Sequence, residues 1–162
     1  LFGTNGSGVS GLVTIGDGLA LAAAALAISF ASQAEQETAT SLVKAVAPGT
    51  QKYHPGMAKA WVVFDGSAAN PIVPSAGYNI SGNVTKNGTG DYTISFTVPF
   101  SSANYCVSGM TRRNAAGGNP CYVCLASVAS NPAVGSARVT TIDASNIIQD
   151  NEFVSVAFHG DQ

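Results

Sequence analysis

Charge is scarce in this sequence. Lys, Arg, Asp and Glu make up 10% of its 162 residues, against about 25% in ordinary soluble domains. Its surface is therefore covered by Ser, Thr, Asn and Ala, or is buried against other chains, which favours an assembly component over a freely diffusing enzyme. The net charge is -2 and no basic stripe runs along the chain. Arg112 and Arg113 are adjacent, but two arginines do not make a nucleic-acid footprint, so nucleic acid is not expected as a partner. Long apolar runs are missing too. The stretch Leu19 to Ala31 falls short of the ~20 residues that span a bilayer, and no basic segment precedes it as in a signal peptide. The chain begins at Leu1 without Met, as a fragment or a processed product would.

Catalytic vocabulary is equally thin. Three cysteines, Cys106, Cys121 and Cys124, are an odd number, unlike the even set of a disulfide-stapled module. Free buried thiols are the expectation. Cys121-x-x-Cys124 lacks two further zinc ligands at a recognised spacing, since only Cys106, His54 and His159 remain. It also sits in a strand-like run, not at the helix start that a redox pair needs. No G-x-S-x-G elbow is present. Of the two histidines, His54 lies in "YHPG" as a docking or turn residue. His159 lies near the end, solvated or meeting its copies on an oligomer axis. Asp65, Asp91, Asp143, Asp150 and Glu152 nearly all adjoin turns, where a carboxylate serves local backbone more readily than the opposed pair of a glycosidase. The sequence thus predicts a protein that is not an enzyme, with no metal, cofactor or catalytic residue.

What is present is an ordered series of zones. The first, residues 1–31, is Gly-rich and then Ala/Leu-rich. Leu19 and Leu21, and then Leu26, Ile28 and Phe30, recur with period 2, which favours short strands over a helix. Such a layer cannot bury its apolar row alone and wants copies of itself. The second zone, residues 32–58, opens on "SQAE", a capping box in which Ser32 and Glu35 serve each other's backbone. Ala34, Thr38, Leu42 and Val46 then predict one face of a helix of about four turns, stopped at Pro48-Gly49. The linker "GTQKYHPG" follows.

The third zone, residues 59–162, is all-β. "KAWVVF", "GYNISGNVT", "DYTISFTV", "ANYCVSGM", "CYVCLASV", "SARVTTI" and "EFVSVAF" are seven strand candidates separated by Gly/Asn/Pro/Ser turns. Asn87-Gly88 is the strongest turn signal. This many short strands predicts a β-sandwich, jelly-roll-like, with a barrel as the alternative. The loop "TRRNAAGGNP" carries Arg112, Arg113, Asn114 and Asn119 between two strands. It is either a recognition loop on a rigid scaffold or an ordinary hairpin excursion. "SNPAVG", residues 130–135, is a second, weaker candidate. Asn79, Asn83 and Asn87 open glycosylation-type triplets, which this composition yields by chance.

Taken in order, these segments resemble a known family. "HPGMAKAWVVFDGS" followed by "YNISGNVTKNGTGDYTISFTVPFSSANYCVSG" is similar to the C-terminal receptor-binding region of tailed-bacteriophage tail fibres. Lys59 to Val62, Phe64, Gly66, the Asn87–Thr93 run, Phe96, Asn104-Tyr105 and Gly109 carry the match. "VSVAFHG" resembles the module's last strand, "ASQAEQETATSLVKAVAP" the helical segment before such heads, and "IGDGLALAAAALAIS" shaft repeats. The segment from Ala69 to Gly77 and the Arg112–Pro120 loop have no counterpart in the pattern. The resemblance implies a homotrimer with a β-rich shaft, one short α-helix and a β-sandwich head. It would be made in the bacterial host cytoplasm, built into a virion and joined through its N-terminal end to other virion proteins. The head would attach to a bacterial surface glycan or outer-membrane protein, with Arg112, Arg113, Asn114 and Asn119 as candidate receptor contacts. The alternative is a purely structural head fibre, decoration or connector protein.

Overall fold

The computed structural model describes residues 19–22, 25–113 and 120–162. The chain divides into two compact units, Leu1–Pro55 and Gly56–Gln162.

In the first unit, β1 (Leu19–Ala22) and β2 (Ala25–Ile28) form an antiparallel pair, with Leu19 opposite Ile28 and Leu21 opposite Leu26. The period-2 reading of this stretch holds there, while the Gly-rich residues 1–18 lie outside the described residues. Helix α1 (Gln33–Thr38) begins as the capping box predicts: Ser32 Oγ accepts from the Glu35 N–H and the Glu35 carboxylate accepts from the Ser32 N–H. Its length is a correction, because it runs for six residues and not four turns. Thr38 Oγ1 turns back to the Ala34 carbonyl, a local bond that competes with helix propagation. Ala39 then adopts the left-handed conformation at φ 51°, closing the helix. Residues beyond it are drawn into extended pairing instead, with Ala31 N–H donating to the Ala45 carbonyl and Ala45 N–H to the Ser29 carbonyl. Leu42, expected on the apolar helix face, is 95% exposed. Pro48, expected as a stop, instead starts a short second helix, α2 (Pro48–Gln51), where its missing N–H costs nothing.

The second unit is a β-sandwich. Its eight strands are β3 (Ala60–Phe64), β4 (Ala76–Tyr78), β5 (Thr85–Gly88), β6 (Asp91–Ser95), β7 (Cys106–Arg112), β8 (Cys121–Leu125), β9 (Ser136–Asp143) and β10 (Phe153–His159). Every one of the seven predicted segments contributes, and "GYNISGNVT" supplies parts of two strands. They form two antiparallel four-stranded sheets, ordered β4-β3-β10-β7 and β5-β6-β9-β8. The hairpins β3–β4, β5–β6 and β8–β9 stay within a sheet, whereas the other connections cross between sheets.

Alternation in the sequence is what builds the core. β9 and β10 alternate buried and half-buried positions along their whole length. Val62, Phe64, Val154, Val156 and Phe158 from one sheet meet Tyr92, Ile94, Ala137 and Val139 from the other. Edge-to-face rings join the layers, as between Phe64 and Tyr92 at 5.1 Å and between Phe96 and Phe158 at 5.0 Å. Ile72 and Val84 are also buried, tied by reciprocal backbone bonds. The unmatched segment from Ala69 to Gly77 is therefore partly core.

One turn is misplaced by the sequence reading. The β5–β6 hairpin turns at Thr89-Gly90, with Gly88 opposite Asp91, and Asn87 is the extra residue where the register slips between Lys86 and Gly88. Gly90 decides this: its φ is +61°, and a Cβ there would lie 2.7 Å from the Gln149 carbonyl oxygen. Only glycine meets both demands.

Both outer faces carry exposed aromatic side chains, Tyr122 on one and Trp61 and Tyr78 on the other. On β5-β6-β9-β8, cross-strand register sets Thr85, Thr93 and Arg138 in one row and Asp91, Thr140 and Cys124 in the next. Arg138 pairs with the Asp91 carboxylate there. The outer face of β4-β3-β10-β7 instead carries Tyr78, Trp61, Val63 and Met110.

Candidate functional site

Strand β7 is the edge of its sheet and pairs only with β10 along that sheet, setting Arg112 opposite Phe153 and Met110 opposite Ser155. The outward row of β7 thus ends in Arg112, with Arg113 directly after it, and both are exposed. Met110, Thr111, Arg112 and Phe153 line an open hollow of about 300 Å³. Thr111 fixes one wall by donating its hydroxyl to the Phe153 carbonyl at 2.8 Å. The hollow combines an apolar shelf from Phe153 and Met110 with a guanidinium, whose rigid fork suits a carboxylate, a phosphate or a pair of hydroxyls. Of the four residues expected at a receptor site, the structure places Arg112 here and Arg113 beside it, while Asn114 and Asn119 lie outside the described residues. Phe153 and Met110 were not singled out from sequence. Their signal was the register of β7 against β10, which no local pattern reveals.

The second candidate loop, residues 130–135, is built for structure. Asn131 donates to the carbonyls of Ala126 (2.7 Å) and Arg138 (2.9 Å) and accepts from the Arg138 N–H at 2.9 Å. Asn79 does the same elsewhere, donating to the Lys59 and Val98 carbonyls and accepting from the Val98 N–H at 2.7 Å. Its left-handed backbone, at φ 58°, is one asparagine tolerates.

Asp65, Asp91, Asp143 and Asp150 are engaged in the scaffold, whereas Glu152 is exposed. Asp65 accepts from the Ser67 N–H and Asp143 from the N–H groups of Ser145 and Ile147, as turn residues do. Asp150 anchors a wider node, taking Lys86 Nζ at 2.7 Å, the Gly90 N–H at 2.7 Å and the Tyr92 hydroxyl at 3.0 Å. Burial alone would raise the Asp150 pKa, but Lys86, the Gly90 N–H and Tyr92 together hold it below the usual carboxylate value. The same node, after burial, pushes the Tyr92 hydroxyl far up. Asp91 is held low by its bonds to Arg138 against the opposing effect of burial.

The cysteines require a correction. They are free, but Cys106 is exposed and Cys121 and Cys124 are only half-buried. Strand geometry also settles the Cys-x-x-Cys spacing: Cys121 lies opposite Asp143 and Cys124 opposite Thr140, on opposite faces of β8. The two thiols point apart. His159 is half-buried on β10 opposite Cys106, and His54 sits in a turn with its N–H on the Gln51 carbonyl. No group of three or more His, Cys, Asp or Glu side chains suited to a metal comes together among the described residues.

Neither a family model nor a curated protein matches the chain. A solved structure similar to it is the phiAB6 tailspike in complex with three-repeated oligosaccharides of Acinetobacter baumannii surface polysaccharide. The two are 16% identical at a TM-score of 0.42, over 63% of this chain and 20% of the tailspike. Nothing is transferred from a likeness at that level.

Proposed function

We propose that the chain is the distal part of a trimeric phage tail fibre, whose sandwich presents a surface-binding site to the bacterial host. The observation that carries this reading is where the residues of the resemblance fall. Ala60, Val62, Phe64 and Phe96 are buried in the core. Gly66 lies where a Cβ would collide with the Tyr92 hydroxyl, and Gly109 where one would come within 2.8 Å of the Ser155 carbonyl oxygen. These are scaffold positions of one sandwich, and the unmatched segment begins at Arg112, the last residue of its edge strand β7. A shared frame with a private loop is what a fibre head needs when receptors differ from host to host.

Arg112, Arg113 and the shelf of Phe153 and Met110 would hold an anionic or hydroxyl-rich group of a surface glycan, or the matching feature of an outer-membrane protein. Asn114 and Asn119 belong to the same proposed loop. One such site is weak, and three on a trimer gain by effective concentration.

The test is adsorption of the labelled chain to a panel of encapsulated and unencapsulated Gram-negative strains, with native mass from light scattering. Saturable binding to a subset of strains is expected. The double variant Arg112→Ala, Arg113→Ala should lower it at least tenfold while leaving the mass unchanged, a loss of about 1.4 kcal/mol or more in the overall adsorption free energy. Saturable binding that survives the double variant would remove this loop from the site. A chain that binds no strain and assembles only with other virion proteins would be a structural virion part.

A further inference from the structure

The first unit carries a hollow of its own. Glu35, Gln36, Ser41, Lys44 and His54 line it together with the buried Ala31, and it is open, with a volume of about 200 Å³. Gln36 is the residue out of place. It is the buried residue of α1, 5% exposed, where the inward position of an amphipathic helix ordinarily takes an apolar side chain. Its backbone groups are both used locally, the N–H on the Ser32 carbonyl and the carbonyl accepting from the Ala39 N–H. What Gln36 brings to the hollow is therefore its carboxamide. Among the described residues that group has no hydrogen-bond partner. Burying an amide unpaired is destabilising, so a ligand that meets it makes an interaction the protein does not make for itself.

The rest of the wall selects the ligand. Lys44 Nζ lies 2.7 Å from Glu35 Oε1, while Glu35 Oε2 accepts from the N–H and the hydroxyl of Ser32. The bond from Lys44, with those from Ser32, brings the Glu35 pKa down to about 2. The carboxylate therefore stays charged near neutral pH and cancels the ammonium, which leaves the pair no preference for an ion of either sign. Glu35 takes one of the three protons of the Lys44 ammonium. The carboxamide of Gln36 and the hydroxyl of Ser41 each both donate and accept, as the hydroxyls of a sugar do. Size narrows the choice. Pockets for drug-sized ligands run from about 300 Å³ upward, and this smaller hollow has room for one ring. We infer that it binds a single neutral sugar ring, whose neighbouring hydroxyls meet the Gln36 carboxamide and the Lys44 ammonium. This is a site of the first unit, and it stands or falls independently of the Arg112 loop.

The experiment titrates the nitrogen-labelled full chain with glucose, galactose, mannose and N-acetylglucosamine, and with glucuronate as the charged contrast. The Gln36 carboxamide signal, assigned by its loss in Gln36→Leu, reports on this hollow, and saturation transfer to the sugar reads affinity in the variants. The expected result is a saturable, millimolar shift of that signal with at least one neutral sugar. Gln36→Leu should weaken binding at least tenfold while the thermal midpoint of the first unit stays level or rises, because leucine suits a buried position. No shift with any sugar would overturn the inference, as would an unchanged affinity in Gln36→Leu. A midpoint that falls by several degrees would overturn it too, since the carboxamide would then be paired within the protein. Glucuronate binding tenfold more tightly than glucose would overturn the neutral assignment. Displacement of the sugar by purified bacterial surface polysaccharide would assign the ring to a surface glycan, and binding that the polymer leaves untouched would assign it to a free sugar; the site is upheld by both. If Gln36→Leu does not fold, the carboxamide shift in the parent chain and a several-fold loss of affinity in Lys44→Met decide.

Discussion

At the scale of single residues, the abundant asparagines, serines and threonines of this protein serve its backbone. Asn79 and Asn131 each donate to two carbonyls and accept from one backbone N–H. Replacing Asn131 by Ala deletes three bonds and takes the side-chain acceptor from the Arg138 N–H, so it should cost about 1–3 kcal/mol. Urea unfolding of the variant checks this, and an unchanged midpoint would mean that water takes the place of the amide. The Asp150 node makes a pH prediction. Its carboxyl is held below the ordinary value of 3.8 in the folded protein. The stability it contributes is therefore complete above the unfolded value and is lost as pH falls through the folded one. Asp150→Asn should be less stable than the parent near neutral pH, and the gap should narrow as the pH drops below 3.8. Urea midpoints of both proteins across that window would show it; a constant gap would mean that the node acts through shape alone.

At the scale of elements, the least stable choice is at the end of α1. Ala39 is left-handed at φ 51°, a conformation that costs an L-residue about 1–2 kcal/mol. Ala39→Gly should raise the stability of the first unit by about 0.5–1 kcal/mol after glycine's own entropy is counted. A higher thermal midpoint for the first unit's transition is the expected result. The same site shows why the helix was overcalled from sequence. The spacing of Ala34, Thr38, Leu42 and Val46 is helical, but spacing says nothing of the pairing of residues 29–31 with Ala45, which is a longer-range contact. The strands were legible because alternation is itself the burial pattern: Tyr92 and Ile94, or Val154, Val156 and Phe158, are the core. The β5–β6 turn was not, because Asn-Gly and Thr-Gly both permit a turn and only packing against Gln149 chooses Gly90. The candidate site was half legible. Two arginines in an unmatched loop stand out in a charge-poor chain, whereas the shelf beneath Arg112 depends on which residue of β10 it faces.

At the scale of the whole molecule, the question is which part holds the copies together. The sequence assigns that task to the strand layer of residues 1–31, which cannot bury an apolar row alone. The structure adds a second apolar surface, on the sandwich. These assignments separate in a shortened chain, residues 56–162. Among the described residues its core is self-contained: every residue of the buried cluster lies between Ala60 and Phe158, and β3 to β10 pair only among themselves in the two four-stranded sheets. The fragment should therefore unfold in one cooperative step, as small single domains do. It should be monomeric, because the strand layer that the sequence expects to seek copies of itself lies in the missing residues 1–55. Light scattering over a range of concentrations reads the outcome directly. A folded fragment that is monomeric throughout would return the whole of the assembly energy to the first unit. A fragment as tightly associated as the full chain would make the sandwich the sole seat of assembly and the first unit a passenger.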